Sequence, residues 1–331
     1  MTQIVWILFL FTIINLLIIS FIEKFIIKFN IYDLPNTYRK FHIKKTSLIG
    51  GSIILFNLIF FLLLDSIFKL QSTYGINKLQ LLIGSLLYYL LGLYDDKKDL
   101  NANLKFILEI FIAYLIIKID KSLLINELYF LSFDLRIYLG DYSMIFTILC
   151  IVIFINAFNM LDGINLQCGF YSLFIFFSFF NYIENNLLLI IILISIICFL
   201  FLNFKSKVFL GDNGTYLLGF LISYLVIISS KNLEYSKLSA DKIFLLMILP
   251  GLELIRLVIY RSINKKHPFA ADRSHIHHIL LENFSESKTI IILILFSFFS
   301  ILLSVLINEK ILLAILLFIT LYFFIIKTYA K

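Results

Sequence analysis

Apolar runs follow one another along this chain from Ile4 to Ile326, with only short polar breaks between them. A helix rising 1.5 Å per residue needs about 20 apolar residues to cross roughly 30 Å of hydrocarbon. Runs approaching that length fall near 4–22, 48–68, 79–94, 103–118, 142–158, 168–183, 187–203, 215–230, 241–260, 289–307 and 311–327. The expected fold is therefore all-α: a polytopic integral membrane protein with about 11 transmembrane helices. Composition points the same way, at 61% hydrophobic and 15% charged residues with a mean hydropathy of +1.01. Soluble domains are about half apolar and a quarter charged. A core of this size cannot hide the excess. That excludes a soluble enzyme, a DNA-binding domain and a disordered chain.

The scarce charge sets an orientation. Eleven spans place the termini on opposite sides and sort the loops into two sets. One set comprises 23–47, 95–102, 159–167, 204–214, 261–288 and the C-terminal residues; with Lys105, Arg256 and Lys327 at helix ends it holds 19 of the 28 Lys and Arg. The other comprises 69–78, 119–141, 184–186, 231–240 and 308–310, and with Lys118 and Lys242 it holds the remaining 9. The positive-inside rule makes the first set cytoplasmic, with the N-terminus outside and the C-terminus inside. The net charge of +7 is then a property of inner loops and implies no nucleic-acid partner. The first run has no basic leader or small-residue cleavage site, so it reads as a span. Cys150, Cys168 and Cys198 show no paired spacing, which argues against a disulfide framework or a cysteine zinc site. Alternation between Tyr129 and Tyr138 predicts a short hairpin at the outer interface.

The unusual polar clusters collect on the inner side. Asp95-Asp96-Lys97-Lys98-Asp99 sets adjacent carboxylates at a membrane boundary. Ionised together they need a cation, and hard oxygen ligands suit Mg²⁺; a turn neutralised by its two lysines is the simpler alternative. Asn156, Asn159 and Asp162 recur at i, i+3 and i+6, predicting one helical face. In Phe209-Leu210-Gly211-Asp212-Asn213-Gly214-Thr215 the glycines permit a tight backbone, and Asp212 is placed to cap the next helix, whose N-terminus would favour an anion. Four of the five histidines lie between His267 and His278. They suit either a metal or, beside Arg273, Lys265 and Lys266, pyrophosphate and sugar hydroxyls. The loop from Asp33 through Pro35, Asn36, Arg39, Lys40 and His42 to Gly50-Gly51 has defined turns as well as basic anchors. No Walker-type lysine loop is present, which argues against an ATP-driven pump.

In order along the chain, these motifs resemble those of the polyprenyl-phosphate N-acetylhexosamine-1-phosphate transferases. Asp95 to Asp99 looks like that family's DDxxD motif, Asn156 to Gly163 like NAxNxxDG, Phe209 to Asp212 like FxGD, and Ala271 to His278 like ADRxHxHH. The likeness runs from about residue 33 to 280. It implies one transmembrane catalytic domain over residues 1–331, with 261–288 as a cytoplasmic substrate-recognition loop. The implied reaction moves a sugar 1-phosphate, GlcNAc-1-phosphate by default, from a UDP-N-acetylhexosamine to undecaprenyl phosphate, at the cytoplasmic face of a bacterial inner membrane. The product begins a cell-surface polysaccharide, and a homodimer is consistent with the family.

By the same resemblance Asp212 and Asn159 hold Mg²⁺, or Mn²⁺ in its place. Asp95, Asp96, Asp99 and Asp162 are the catalytic candidates, the first two positioning or deprotonating the lipid phosphate. Asn165, Phe209 and Asn156 face the nucleotide. Lys105, Arg273, His275, His277 and His278 bind phosphate or sugar. Three positions depart from the pattern: Asn165 replaces a frequent aspartate, Leu166-Gln167 replaces Gly-Leu, and Glu253 stands where aspartate is common. The phospho-N-acetylmuramoyl-pentapeptide transferases of the same superfamily are the sibling reading. A lipid transporter or flippase is the rival from another class, weakened because the spans hold few ionisable groups, Asp65 and Glu109 among them.

Overall fold

The computed structural model describes residues 2–29, 31–33, 45–70, 76–183, 187–231, 238–266 and 273–329. The helices are α1 (Thr2–Phe29), α2 (Gly50–Phe68), α3 (Lys78–Lys98), α4 (Ala102–Ile119), α5 (Ser143–Asn159), α6 (Gln167–Ser178), α7 (Leu187–Phe204), α8 (Gly211–Lys231), α9 (Ala240–Leu246), α10 (Ile248–Ile263), α11 (Ile276–Asn283), α12 (Glu286–Leu306) and α13 (Ile311–Tyr329). Among the described residues seven are long and apolar enough to cross a membrane: α1, α2, α5, α7, α8, α12 and α13. The pair α9–α10, bent by 78° at Met247, makes an eighth if it forms one span. Helices α3, α4 and α6 also coincide with expected segments. The first two carry the charges of the candidate site, and α6 has only 12 residues, which sets these three apart from plain apolar spans.

Helix α8 is the centre of the bundle, packing against α2, α3, α5 and α6. Its apolar window is 89% buried, whereas that of α1 is 17% buried. The physical reason is in the sequence. Thr215, Tyr216, Ser223, Tyr224 and Ser229 would face hydrocarbon unsatisfied on an outer helix, and small Gly214 and Gly219 let neighbours approach. By contrast α1 exposes Trp6, Phe9, Leu16 and Phe21. It is joined to α2 by a buried amide pair, in which Asn15 Nδ2 donates to Asn57 Oδ1 at 2.8 Å. Tyr88 of α3 stacks on Phe220 of α8 at 5.2 Å, aligning the two helices that carry the acidic motifs.

Among the described residues there are also two small sheets. Strands β1 (Tyr32–Asp33) and β2 (Thr46–Ser47) pair antiparallel, and Ser47 bridges to Val208. Phe209 N donates to Ser47 O at 2.8 Å and Gly50 N to Phe209 O at 3.1 Å, so the segment before α8 is stitched to the start of α2. Strands β3 (Glu127–Phe130) and β4 (Leu135–Tyr138) form the expected hairpin, with Tyr129 opposite Arg136. Ser132 donates from N and Oγ to Asp241 Oδ2 at 2.8 and 2.7 Å, docking the hairpin on α9. The three cysteines are unpaired.

Candidate active site

The turn between α3 and α4 makes the first part of the site. Asp99 takes a left-handed conformation (φ 47°) and its N–H closes α3 on Asp95 O, while Asn101 caps α4 by accepting from Asn103 N at 3.0 Å. Three residues thus reverse the chain and bring Lys105, in the first turn of α4, back against Asp95. Asp95 is buried, pairs with Lys105 Nζ, and accepts from Leu100 N at 2.9 Å. Lys105 Nζ also lies 3.9 Å from Asp212 Oδ2, and the carboxyl groups of Asp95 and Asp212 are within hydrogen-bonding reach of each other. One lysine therefore serves two carboxylates drawn from α3 and α8. Asp99 is exposed at the helix end.

Asp96 has a different partner. Its Oδ1 accepts from Asp212 N at 2.9 Å, and its Oδ2 accepts from Asn213 N at 3.1 Å and Asn213 Nδ2 at 2.6 Å. The anion that the α8 N-terminus attracts is thus a side chain of this chain, contributed by α3. This corrects the expectation that Asp212 would cap its own helix. Gly211 explains the geometry: at φ 73° an added Cβ would lie 2.9 Å from Asp96 Oδ2 and 2.8 Å from Asn213 Nδ2. Asp212 lies in the first turn with its side chain 32% exposed, turned to Lys105 and Asp95.

The second element is the inner end of α5. Asn156 Nδ2 donates to Glu109 Oε2 and to Val152 O, the latter at 2.9 Å, while Asn159 Oδ1 accepts from Thr215 Oγ1 at 2.7 Å. Asp162 does not share their helical face, contrary to expectation, because α5 ends at Asn159. Tight turns follow, with Asp162 N donating to Asn159 O and Gly163 N to Leu161 O, and Asp162 meets solvent. Protein crowding around it still pushes its carboxyl up to about 7, and the charges of Asp96 and Asp33 add to the effect.

Asn203, at the end of α7, links Asn165 to Val208, the residue before Phe209. Asn203 Oδ1 accepts from Leu166 N at 2.7 Å, and its Nδ2 donates to Val208 O at 2.9 Å and contacts Asn165 Oδ1 at 3.4 Å. Leu166 itself has φ 71°. A bulky residue thus holds a left-handed backbone here, tied down by that amide.

The histidine segment forms a wall beside Asp162. His275 and His277 stack at 5.3 Å, and His277 and His278 lie 4.3 Å apart. A Cβ on Gly163 would sit 2.0 Å from the His277 ring, so glycine is what lets this wall reach the loop. Burial and the neighbouring imidazoles push His277 well below the usual histidine range. Arg273 is exposed at the segment's start. Glu253 anchors the rest: it accepts from Ile276 N at 2.9 Å, from Arg256 Nη2 at 2.9 Å and from the Tyr322 hydroxyl, and lies 3.5 Å from His275 Nδ1. Arg256 Nη2 also donates to Ser274 O at 2.6 Å, and Arg261 contacts His275 Nε2 at 3.3 Å. The Glu253 carboxylate is therefore fully engaged by groups of this chain.

Sequence reasoning missed Arg256, Arg261, Asn203, Thr215 and Tyr322. Arg256 left a signal, as a cation three residues after Glu253 in an apolar run. Pro35, Asn36, Arg39, Lys40 and His42, together with His267, Ala271 and Asp272, lie outside the described residues. Among the described residues no group of three His, Cys, Asp or Glu side chains converges as a closed metal site.

Fold and site define a polytopic helical membrane protein with an acidic, lysine-bridged centre where the ends of α3, α4, α5 and α8 meet. Residues 79–230 match the model of the family described as Glycosyl transferase family 4. The chain is 28% identical over 302 residues to a Bacillus subtilis protein named a probable undecaprenyl-phosphate N-acetylglucosaminyl 1-phosphate transferase, covering 88% of this chain and 81% of that one. It is 27% identical over 298 residues to the Salmonella typhi undecaprenyl-phosphate alpha-N-acetylglucosaminyl 1-phosphate transferase (86% and 78% covered). To the Thermotoga maritima protein of the same name it is 29% identical over 290 residues (86% and 84% covered). The chain is thus similar, at low identity, to transferases of this kind over most of its length, and to the family model over residues 79–230.

Proposed function

We propose that this protein transfers an N-acetylhexosamine 1-phosphate, with GlcNAc-1-phosphate as the default, from a UDP-sugar to undecaprenyl phosphate. The reading rests above all on Lys105 standing between the Asp95 and Asp212 carboxylates at the rim of an apolar bundle. That place suits a reaction joining a charged nucleotide sugar to a lipid phosphate. A lipid phosphate oxygen attacks the β-phosphorus, the bond from that phosphorus to the oxygen bridging the two phosphates breaks, and UMP leaves with the bridging oxygen.

The donor set fits Mg²⁺, with Mn²⁺ as substitute. Asp95 and Asp212 outnumber the single lysine that bridges them, and a magnesium site commonly takes one or two carboxylates plus substrate phosphates. Asp212 and Asn159 would hold the ion, which when bound neutralises charge on the pyrophosphate. Lys105 would orient the lipid phosphate against Asp95. Asp96 acts through α8, fixing the turn that presents Asp212. Asp99, exposed at the end of α3, would meet the incoming substrates, and Asp162 would manage a proton near neutrality. Asn156, Asn165 and Phe209 would receive the nucleotide. Arg273, His275, His277 and His278 would hold pyrophosphate or sugar hydroxyls, His277 as a neutral ring.

Eleven spans, an external N-terminus and a cytoplasmic site in a bacterial inner membrane complete the proposal, supported by the 19 to 9 distribution of basic residues. A homodimer remains part of it. The test is purified protein with undecaprenyl phosphate, Mg²⁺ and a panel of UDP-N-acetylhexosamines, with UMP release as readout. Turnover with at least one donor, abolished by EDTA and by Asp212→Ala, is expected; no UMP from any donor overturns the reading.

A further inference from the structure

Glu109 is a carboxyl group with no exposed surface inside α4, one helical turn deeper than Lys105. The single lysine nearby is occupied by Asp95. Ionisable groups inside a membrane span are costly and seldom retained without a task. The proposed chemistry gives Glu109 no reacting atom to touch.

Its hydrogen bonding is nevertheless specific. The Glu109 Oε2 accepts from Asn156 Nδ2, and the Tyr216 hydroxyl of α8 flanks the same carboxyl. The second Asn156 N–H goes to Val152 O at 2.9 Å. Both amide protons of Asn156 are therefore consumed on the protein side, and among the described residues nothing donates to its Oδ1. An amide oriented in this way can only accept. Asn156 is partly exposed, one turn before Asn159 on α5, so that oxygen belongs to the site.

We infer that Glu109 is a positioning residue that locks the Asn156 amide with its oxygen toward the site, making Asn156 an obligate acceptor for a donor group on the nucleotide sugar. The inference rests on the transferase reading and adds to it the polarity of one contact: the substrate group at Asn156 carries N–H or O–H. Without the Glu109 acceptor oxygen the amide is free to flip, and it would then present N–H groups to a substrate donor.

Reversing the pair tests this. Asn156→Asp removes the amide donor and sets two acid side chains together, and is expected to lower kcat/KM for the UDP-sugar at least 100-fold. Adding Glu109→Gln supplies a donor that holds the new carboxylate with an oxygen toward the site, and should recover at least tenfold. Glu109→Leu alone should lose at least tenfold, mainly through KM for the UDP-sugar, with KM for undecaprenyl phosphate unchanged. Glu109→Gln alone, whose amide oxygen accepts the same bond, should keep at least tenfold more activity than Glu109→Leu.

Melting in detergent supplies a readout that needs no turnover: Asn156→Asp should lower Tm and the double variant should restore it. A double variant no better than Asn156→Asp in activity, with wild-type enzyme turning over, overturns the positioning role. Absence of turnover in the wild type overturns the transferase reading instead, and failure of Tm restoration overturns the pairing itself.

Discussion

The carboxylate of Asp96, at the end of α3, accepts from the backbone of Asp212 and Asn213 and so closes the N-terminus of α8. Two acidic motifs separated by more than a hundred residues are one structural unit, in which one acid fixes the turn that displays the other. A helix N-terminus leaves backbone donors unsatisfied and carries partial positive charge, and the half-buried Asp96 carboxylate answers both.

Removing that cap should uncouple the motifs. Asp96→Ala is expected to cost about 1–3 kcal/mol, the range for a charged hydrogen-bonded cap. Asp96→Asn, which retains one acceptor oxygen, should cost less. Thermal melting in detergent checks the order, and equal melting of both variants would show that the anion is immaterial.

Lys105→Met should leave Asp95 and Asp212 facing each other without their shared cation. The expected result is at least a 100-fold fall in UMP release, together with a requirement for more Mg²⁺, because more positive charge must then come from solution. An unchanged Mg²⁺ dependence would place Lys105 outside the acidic centre.

Gly163→Ala should displace His277, since its methyl group would meet the ring at 2.0 Å. Activity should fall at least tenfold. The double variant Gly163→Ala with His277→Ala should restore melting temperature relative to the single glycine variant, though not turnover. A fully active Gly163→Ala enzyme is the contrary outcome.

Leu166 offers a prediction about backbone strain. At φ 71° an L-residue pays roughly 1–2 kcal/mol, which glycine avoids at the expense of a more flexible unfolded chain. Leu166→Gly should therefore melt within a few degrees of the wild type, whereas the β-branched Leu166→Val should be destabilised by at least about 1 kcal/mol.

The pH profile isolates Asp162. Its carboxyl sits up at about 7 in the folded protein, so it is largely protonated at pH 6 and largely ionised at pH 8. If the ionised form serves the reaction, log kcat/KM should rise with pH and level off above about 7. The residual activity of Asp162→Asn should lack that inflection. His277, held neutral well below the usual range, should contribute no inflection over the same interval.

Hydropathy made the helical membrane architecture legible, because a chain this apolar has few other ways to satisfy its backbone in lipid. Helices coincide with the runs expected near 79–94 and 103–118 despite their charges. The hairpin around Tyr129 and Arg136 was visible in its two-residue alternation. Asp95, Lys105, Asn159 and Asp212 were recognisable as anomalies, since polar groups at apolar helix ends stand out in one dimension.

Which of those groups meet was not readable. The sequence by itself determined which residues are too costly to leave unexplained. Only the packing of α3, α4 and α5 around α8 decided that Asp96 is a cap while Lys105 lies between Asp95 and Asp212. The same packing ends α5 before Asp162 and sets Glu109 behind Asn156. The reason is physical: hydrophobic burial depends on patterns local in sequence, whereas a carboxylate's role depends on the donor that reaches it, and here those donors come from other helices.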